Sequence, residues 1–207
     1  VHYERNASDP RMTHALALEV DEYGHVTKSV TIAYARRTIP ASPANLPQTL
    51  LATMTETVVQ NEPGQTTWYR IGVPIETRTY ELTGLGDTQS ALLSFGAVET
   101  AANVATEIAY EVAPTPNTLQ KRLVEHVKQR YYDSSTIGGP NPTPLPFGAV
   151  DVLVLPYETY ALAFTPGLIA AAFGQPARGI DVSAVTALLT SSDGRYVEEN
   201  GLYWLPT

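Results

Sequence analysis

The stretch MTHALALEVDEYGHVTKSVTIAYARR (residues 12–37) decides the fold of this chain. It contains two runs in which every second position is mostly apolar. Because side chains alternate across a β-strand, each run predicts a half-buried strand. Between the runs, Gly24 suits the left-handed backbone conformation that closes a short hairpin loop. The stretch therefore predicts a β-hairpin, whose apolar face carries Met12, His14, Leu16, Leu18 and Val20 in one strand and Val26, Val30, Ile32 and Tyr34 in the other.

Composition narrows the class of protein. The chain has 207 residues, of which 43% are hydrophobic and 16% charged, so it is globular and long enough for one domain or two small ones. Its 16 prolines, 14 glycines and 12 tyrosines are typical of β-structure with many turns. The net charge of −8 argues against a nucleic-acid surface. With no cysteine, the sequence has neither a disulfide nor a thiolate metal site.

Two features concern the context of the chain. No apolar run approaches 18 residues, so no membrane-spanning helix is predicted. The first residues, VHYERN, contain no initiator Met and no apolar signal region. We therefore expect the chain to be a piece of a larger protein.

The rest of the sequence predicts further strands and a few short helices. Capping signals predict two helices: Thr165 and Pro166 begin one that stops at Gly174, and Asp181 caps the other. These helices cover residues 166–173 and 182–189, and a third is predicted near 97–107. Strands are predicted at 1–5, 48–60, 68–71, 75–82, 91–95, 149–155, 158–163, 195–198 and 202–205, with Pro-rich loops at 38–47 and 138–147.

Residues 117–132 carry two conflicting signals. Asn117 could cap a helix with Gln120 three residues later, and Leu123, Val127 and Tyr131 repeat every four residues. Loose alternation between residues 123 and 131 instead favours a strand. Local signals thus favour a helix. The family resemblance described below favours a strand, and a strand is our prediction for these residues.

No constellation of side chains predicts chemistry. The four histidines, residues 2, 14, 25 and 126, lack metal-ligand spacing, and neither an HExxH, Walker, GxGxxG nor GxSxG motif occurs. His14 is expected to be a hydrogen-bonded core residue, and His25 a turn residue. Glu76 and Glu158 lie in predicted strands near Arg or Tyr, where we expect an ion pair or a polar lining, and Glu198 and Glu199 are expected to lie in a solvated turn. We predict no catalytic, cofactor-binding or metal-binding residue, and no cofactor.

The aromatic residues near the end of the chain allow two interpretations. Rings held on strands could stack on a sugar, or they could pack across neighbouring strands, which is the more common role of Tyr in sheets. The residues concerned are Tyr131, Tyr132, Tyr157, Tyr160, Tyr203 and Trp204.

The sequence resembles a known family over most of its length. The matching stretches are HYERNASDPRMTHALALEVDEYGHVTKSVTIAYARR (2–37), QTLLATMTETVVQ (48–60), YRIGVPIETRTYELTGL (69–85), QKRLVEHVKQRYYDSS (120–135), LPYETYALAFTPGLIAAAFG (155–174) and GRYVEENGLYWLP (194–206). They resemble the region ahead of the Rhs/YD-repeat shell in the B component of bacterial Tc insecticidal toxin complexes. The loops at 38–47, 86–115 and 136–148 match poorly.

The resemblance implies both a fold and a role. The fold would be mainly β, with antiparallel hairpins and meanders forming an Rhs-like sheet segment and two or three short helices. Residues 1–207 would be a single fragment of a larger shell protein, with a subdivision near 86–116. The fragment would be a secreted, non-enzymic wall segment. Its partners would be the C component, the A component and an encapsulated toxin polypeptide, with no nucleic acid and no membrane insertion.

Two other function classes remain open from the residues alone. A carbohydrate- or protein-binding β module of a secreted or surface protein would use the aromatic residues described above. A hydrolase would show turnover on a broad substrate panel, although no motif in the sequence predicts one.

Overall fold

A computed structural model describes residues 9–36, 49–86, 92–175 and 179–207. The fold is mainly β, as predicted. In these ranges the strands are β1 (Thr13–Val20), β2 (Val26–Ala33), β3 (Leu51–Glu62), β4 (Arg70–Thr83), β5 (Thr106–Ile108), β6 (Gln120–Tyr131), β7 (Pro156–Phe164), β8 (Val197–Glu199) and β9 (Leu202–Pro206). The helices are α1 (Phe95–Val104), α2 (Pro166–Phe173) and α3 (Val182–Leu189).

The predicted hairpin is confirmed. Strands β1 and β2 pair antiparallel, with Thr13 opposite Ala33 and Val20 opposite Val26. In the loop, Gly24 has a φ of +92°, the region that favours glycine. The Asp21 carboxylate accepts hydrogen bonds from the backbone N–H groups of Tyr23 (3.0 Å) and His25 (2.8 Å), so the loop is closed by its own residues.

The strands follow the order β1-β2-β3-β4-β6-β7-β9-β8 in one sheet, and β5 pairs in parallel with β6. Residues 120–131 form the strand that we predicted from the resemblance. Asn117 does not cap a helix, because its φ of +57° is left-handed, whereas an N-cap residue has an extended backbone. Instead β6 pairs antiparallel with β7, with Val127 opposite Ala161.

The described residues group into two compact units. The first takes residues up to Glu56, Thr79–Ile108 and Val112–Val124, and the second takes Thr57–Arg78, Ala109–Glu111 and Glu125–Thr207. Strands β3, β4 and β6 thus contribute residues to both units.

The core of the first unit lies on the predicted apolar face of the hairpin. Val30, Ile32 and Met54 are completely buried, and helix α1 adds Val98 and Ala102 to the same cluster. The helix predicted near 97–107 is present with different bounds, because it runs from Phe95 to Val104 and residues 106–107 belong to strand β5. The strand predicted at 91–95 is wrong for residues 92–95, because the Ser94 hydroxyl accepts a hydrogen bond from Ala97 N and caps the helix.

The second unit has a smaller apolar cluster, which explains why β4 is continuous. We predicted two strands separated at Pro74, but Arg70–Thr83 is one strand. Val73 and Ile75 on either side of the proline pack with Tyr131, and the Tyr131 hydroxyl donates a hydrogen bond to Pro74 O (2.7 Å). This packing offsets the ladder hydrogen bond that a proline cannot donate.

The strand predicted at 149–155 is also wrong. The Asp151 carboxylate accepts hydrogen bonds from Ser134 N (2.6 Å) and Leu153 N (3.3 Å), which fold the segment into a loop. Val154 then has a φ of +49°, and its side chain packs against the apolar cluster of the second unit. Strand β7 begins only at Pro156.

Near the end of the chain, the helices and the hairpin form where the capping and turn residues predicted them. Helices α2 and α3 have the predicted bounds, with Thr165 and Asp181 as their N-caps. Strands β8 and β9 form the predicted terminal hairpin, in which Asn200 and Gly201 both have positive φ. The predicted strand at 1–5 and loop at 38–47 lie outside the described residues.

Candidate functional site

A dense group of ionisable and aromatic side chains lies in the second unit, and we call it the β6 cluster. His126, Lys128 and Arg130 occupy alternate positions of β6 and so project from one face of the strand. They contact carboxylates and rings that come from distant parts of the sequence: Glu76, Phe147, Tyr157, Tyr160, Glu199 and Trp204.

His126 is buried and paired with a carboxylate. Its Nε2 lies 2.7 Å from Glu76 Oε1, and the same carboxylate oxygen forms an ion pair with Arg78. Arg78 Nε is 3.5 Å from His126 Nε2. Because Nε2–H donates to Glu76, it has no lone pair left to accept from Arg78. The ring also meets Trp204 edge-on, with 4.7 Å between ring centroids.

The surroundings of Glu76 favour its charged form. Burial by itself raises the pKa of this carboxyl. The hydrogen bond from His126 and the charges of His126, Arg78 and Lys128 act in the opposite direction and hold the pKa below its ordinary value. Glu76 is thus an ionised partner in a network and not a proton donor at neutral pH. The prediction that Glu76 pairs with an arginine is confirmed.

Lys128 is held between a carboxylate and two rings. Its Nζ is 2.5 Å from Glu199 Oε2 and lies 4.5 Å from the Trp204 ring centroid and 5.1 Å from that of Phe147. The expectation that Glu199 lies in a solvated turn is therefore wrong. The Glu199 carboxylate pairs with Lys128 on another strand, and cation–π contact with the two rings stabilises the Lys128 ammonium group.

Arg130 connects the cluster to the loop that follows β6. Its Nε donates a hydrogen bond to Leu145 O (2.9 Å), and its guanidinium carbon lies 5.0 Å from the Phe147 ring centroid. Beneath it, the Tyr160 hydroxyl donates a hydrogen bond to Glu158 (2.6 Å), which confirms the predicted Glu–Tyr pairing. Burial, with the hydrogen bond to Glu158, raises the pKa of Tyr160 to about 12.

The candidate sugar-binding rings are mostly packed into the protein. Tyr131, Tyr160 and Trp204 are 3% or less exposed, and Tyr132 meets Tyr157 edge-on at 5.0 Å. A ring that stacks on a sugar needs an open face, so this geometry favours cross-strand packing. Among the buried side-chain nitrogens and oxygens in the described ranges, only Trp204 Nε1 has no hydrogen-bond partner.

His14 and His25, the other histidines discussed in the sequence, make their contacts within or beside the N-terminal hairpin. His14 Nδ1 lies 3.4 Å from the Tyr34 hydroxyl on the apolar face of the hairpin, and His25 Nδ1 lies 2.9 Å from Asp21 in the hairpin loop. His25 has its predicted role as a turn residue, whereas His14 is hydrogen-bonded as predicted but only half-buried and outside the core. The described part of the chain contains no group of three His, Cys, Asp or Glu residues that could hold a metal ion.

The first unit contains a groove of about 840 Å³ beside the ends of β3 and β4. Its lining includes Leu51 and Val124, both exposed, and Arg122, whose Nη2 lies 2.7 Å from Glu81. The charge of this arginine is thus already neutralised. The contacts of the β6 cluster link side chains of β4, β6, β7, β8 and β9, so the arrangement is suited to holding strands together.

His126, Lys128 and Arg130 were not predicted from the sequence to form a group. A signal was available, because HVKQR (126–130) places a basic residue at every second position of a predicted strand. Their partners could not be assigned from spacing alone, since the His126–Glu76 contact spans 50 positions.

Comparison with known families identifies what the chain resembles. The model of a family described as the insecticide toxin TcdB middle/C-terminal region matches residues 1–72. The predicted resemblance to the Tc toxin B component is confirmed. No individually curated protein matches the chain.

Solved structures with the same fold are Tc toxin assemblies. The crystal structure of TcdB2–TccC3 matches 98% of this chain with 20% identity and a TM-score of 0.65. The Photorhabdus luminescens Tc holotoxin pore matches 99% of it with 19% identity and a TM-score of 0.63, as does TcdB2–TccC3–Cdc42. In each case this chain spans about a tenth of the length of the matched chain (10%). In the ranges that the structure describes, no helix is long and apolar enough to cross a membrane.

Proposed function

We propose that this chain is a structural wall segment of a Tc-toxin-like Rhs β-shell that encapsulates a toxic polypeptide for delivery into target cells. The observation that carries the proposal is the fold match over 98% of the chain to TcdB2–TccC3, together with the family match at residues 1–72. On this proposal, residues 1–207 are a single fragment of a larger, secreted shell protein.

The internal chemistry of the segment supports a mechanical role. A strand-rich wall satisfies its own backbone hydrogen bonds, and closing a sheet removes the edges that would otherwise aggregate. In the β6 cluster, carboxylates and rings hold His126, Lys128 and Arg130 in place. These contacts link side chains of β4, β6, β7 and β9 within the second unit. We propose that the segment is structural and not an enzyme.

The proposal also names partners. A C component would complete the shell, an A component would provide the route into the cell, and the enclosed polypeptide would be the cargo. Neither nucleic acid nor membrane insertion by this segment is part of the proposal, and the net charge of −8 disfavours a nucleic-acid partner.

Protease protection tests encapsulation directly. The longer natural polypeptide would be co-expressed with its C-type partner, purified and treated with a nonspecific protease. We expect the two to co-purify and the enclosed segment of the C-type partner to survive until mild denaturant opens the particle. The control is the C-type partner expressed alone, which should be degraded. Failure to co-purify, or equal degradation with and without the longer polypeptide, would contradict the proposal.

A further inference from the structure

The loop of the terminal hairpin is the one Asn-Gly pair of the sequence, Asn200–Gly201. Glu199 of β8 pairs with Leu202 of β9, so these two residues form the whole loop. Their φ angles are +55° and +78°, the positive values that a type I′ turn requires at both central positions. The Asn200 side chain is exposed to water. The loop therefore presents a carboxamide directly before a residue that has no side chain.

An asparagine that precedes glycine can react with its own backbone. Once the Gly201 nitrogen loses its proton to hydroxide, it attacks Asn200 Cγ, and the new N–C bond closes a five-membered succinimide ring. The Cγ–Nδ2 bond breaks, and the departing nitrogen takes a proton from water and leaves as ammonia. Water then opens the ring at either carbonyl and gives aspartate or isoaspartate. Glycine favours ring closure because no Cβ blocks the approach, and water is the only reactant consumed.

The turn holds the reacting atoms apart. In a left-handed residue, the following backbone nitrogen lies nearly opposite Cβ about the Cα–C bond, whereas the succinimide ring needs both on the same side. Asn200 must therefore leave its left-handed conformation before the Gly201 nitrogen can reach its side chain. That rotation breaks the pairing of Glu199 with Leu202. Ring closure thus requires a local opening of the hairpin.

The Glu198 carboxylate also restrains the attacking nitrogen. Gly201 N–H donates a hydrogen bond to Glu198 Oε1, with 2.6 Å between nitrogen and oxygen. A carboxylate is a much weaker base than an amide anion, so Glu198 keeps the proton on the nitrogen and does not remove it. Hydrogen bonds to ionised acceptors are about twice as strong as neutral ones. Glu198 therefore opposes both the rotation and the deprotonation that the reaction needs.

We infer that Asn200 is a site of spontaneous deamidation, and that the left-handed turn and the Glu198 carboxylate suppress the reaction until the hairpin opens. Isoaspartate would add a methylene to the backbone of a two-residue loop, and either product would place a third carboxylate beside Glu198 and Glu199. Because Glu199 Oε2 pairs with Lys128 Nζ (2.5 Å), loosening of β8 would weaken an ion pair of the β6 cluster. The inference does not depend on the proposed function, since it uses only groups of this hairpin and water.

Peptide mapping of the 207-residue chain tests this inference. Wild type, Glu198→Ala and Glu22→Ala would be incubated at mildly alkaline pH, and aspartate and isoaspartate at residue 200 would be quantified by chromatography and mass spectrometry. A synthetic peptide of residues 196–204, in which an isolated hairpin is marginal at best, gives the unrestrained rate.

Two differences in rate are expected. Folded wild type should react at least about 30-fold more slowly than the peptide, because opening must precede ring closure. Glu198→Ala should react about 10-fold faster than wild type, because one charge-assisted hydrogen bond is lost. Glu22→Ala removes the same charge from the exposed loop of the first hairpin and should match wild type.

Unfolding separates the hydrogen bond from an effect of charge on intrinsic reactivity. In urea above the unfolding midpoint, wild type and Glu198→Ala should react equally fast, because the hydrogen bond exists only in the turn. An equally large difference in urea would overturn the role of Glu198. A wild-type rate within about threefold of the peptide, or acceleration of less than about threefold in folded Glu198→Ala, would also contradict the inference.

Discussion

Glu76 and His126 face each other from neighbouring strands β4 and β6, with Oε1 2.7 Å from Nε2, and both side chains are largely withdrawn from water. Arg78 completes the charge balance on the same carboxylate. Buried pairs of this kind contribute little net stability, but removing one partner is costly because the other is left uncompensated. The pair therefore fixes the alignment of two central strands.

The Glu76–His126 pair predicts that the stability of the folded protein decreases at acid pH. Because the pKa of Glu76 is lowered in the folded protein, its stabilising contribution is fully present above its unfolded value of about 4.5 and is lost as the pH falls through the folded pKa. Glu76→Gln should lower the free energy of unfolding at pH 7 by about 1.5–3 kcal/mol and make its fall below pH 4.5 shallower. Urea unfolding between pH 3 and 7 measures both. Glu22→Gln, in the exposed hairpin loop, removes the same charge and should change neither; identical pH profiles for wild type and Glu76→Gln would contradict the assignment.

The raised pKa of Tyr160 predicts a loss of stability at alkaline pH. Its pKa is raised to about 12, so the folded state favours the protonated phenol. Its stabilising contribution is complete below pH 10 and disappears as the pH rises from 10 to 12. Tyr160→Phe should therefore show a weaker loss of stability over that range, measured by thermal melting. Tyr69→Phe, at a position where the side chain is 60% exposed, should follow the wild-type curve.

Alanine substitutions at Gly84 and Gly86 distinguish the cost of backbone strain from the cost of a steric clash. Both have positive φ, +74° and +89°. A Cβ at Gly84 would lie 2.3 Å from the backbone of Thr118, whereas one at Gly86 would meet nothing within 4 Å. Gly86→Ala should cost about 1 kcal/mol through strain alone, and Gly84→Ala about 3 kcal/mol or more. Equal midpoints in urea for the two variants would show that the chain does not approach Thr118 so closely.

Gly24 tests the hairpin that organises the fold. Its φ is +92°, and a Cβ there would have open space around it. Gly24→Val should therefore cost about 1–3 kcal/mol through backbone strain only. Gly24→Asn should cost less, because Asn tolerates the left-handed region. A Gly24→Val protein that melts at the wild-type temperature would rule out this conformation.

Trp204 distinguishes a wall from a sugar-binding module. The ring is completely buried against His126 and Lys128, so the wild-type chain should show no saturable binding on a glycan array. Trp204→Ala should lower the free energy of unfolding by about 3–5 kcal/mol through cavity formation. Glycan binding by the wild type that is abolished in a folded Trp204→Phe variant would instead support the binding module.

Features set by neighbouring residues were predictable from the sequence. The alternation around Gly24 specified the hairpin, and Thr165, Pro166 and Gly174 specified the ends of α2, because turns and caps depend on a few adjacent residues. Pairing between distant strands was not predictable in this way. Pro74 lies inside β4 because Tyr131 packs beside it, and Val154 adopts a left-handed φ because Asp151 folds its loop. Residues 120–131 form a strand against local helical signals, since β7 pairs with them.

For the same reason, the contacts of the β6 cluster could not be predicted from residues that are neighbours in sequence. Its basic residues alternate along β6, but their partners come from β4, β7, β8 and β9. The absence of a catalytic motif was evident from the residue types and their spacing. Which carboxylate neutralises which cation depends on strand order and register, and neither could be derived from one sequence.

The central claim is that this chain is one wall segment of a longer shell polypeptide, and imaging that proposed polypeptide with a C-type partner by cryo-electron microscopy tests the claim most directly. We expect a closed, hollow particle in which the sheet formed by these strands is part of the wall, with additional density inside the cavity. A solid particle, or a map in which this sheet lies outside any enclosing shell, would contradict the claim.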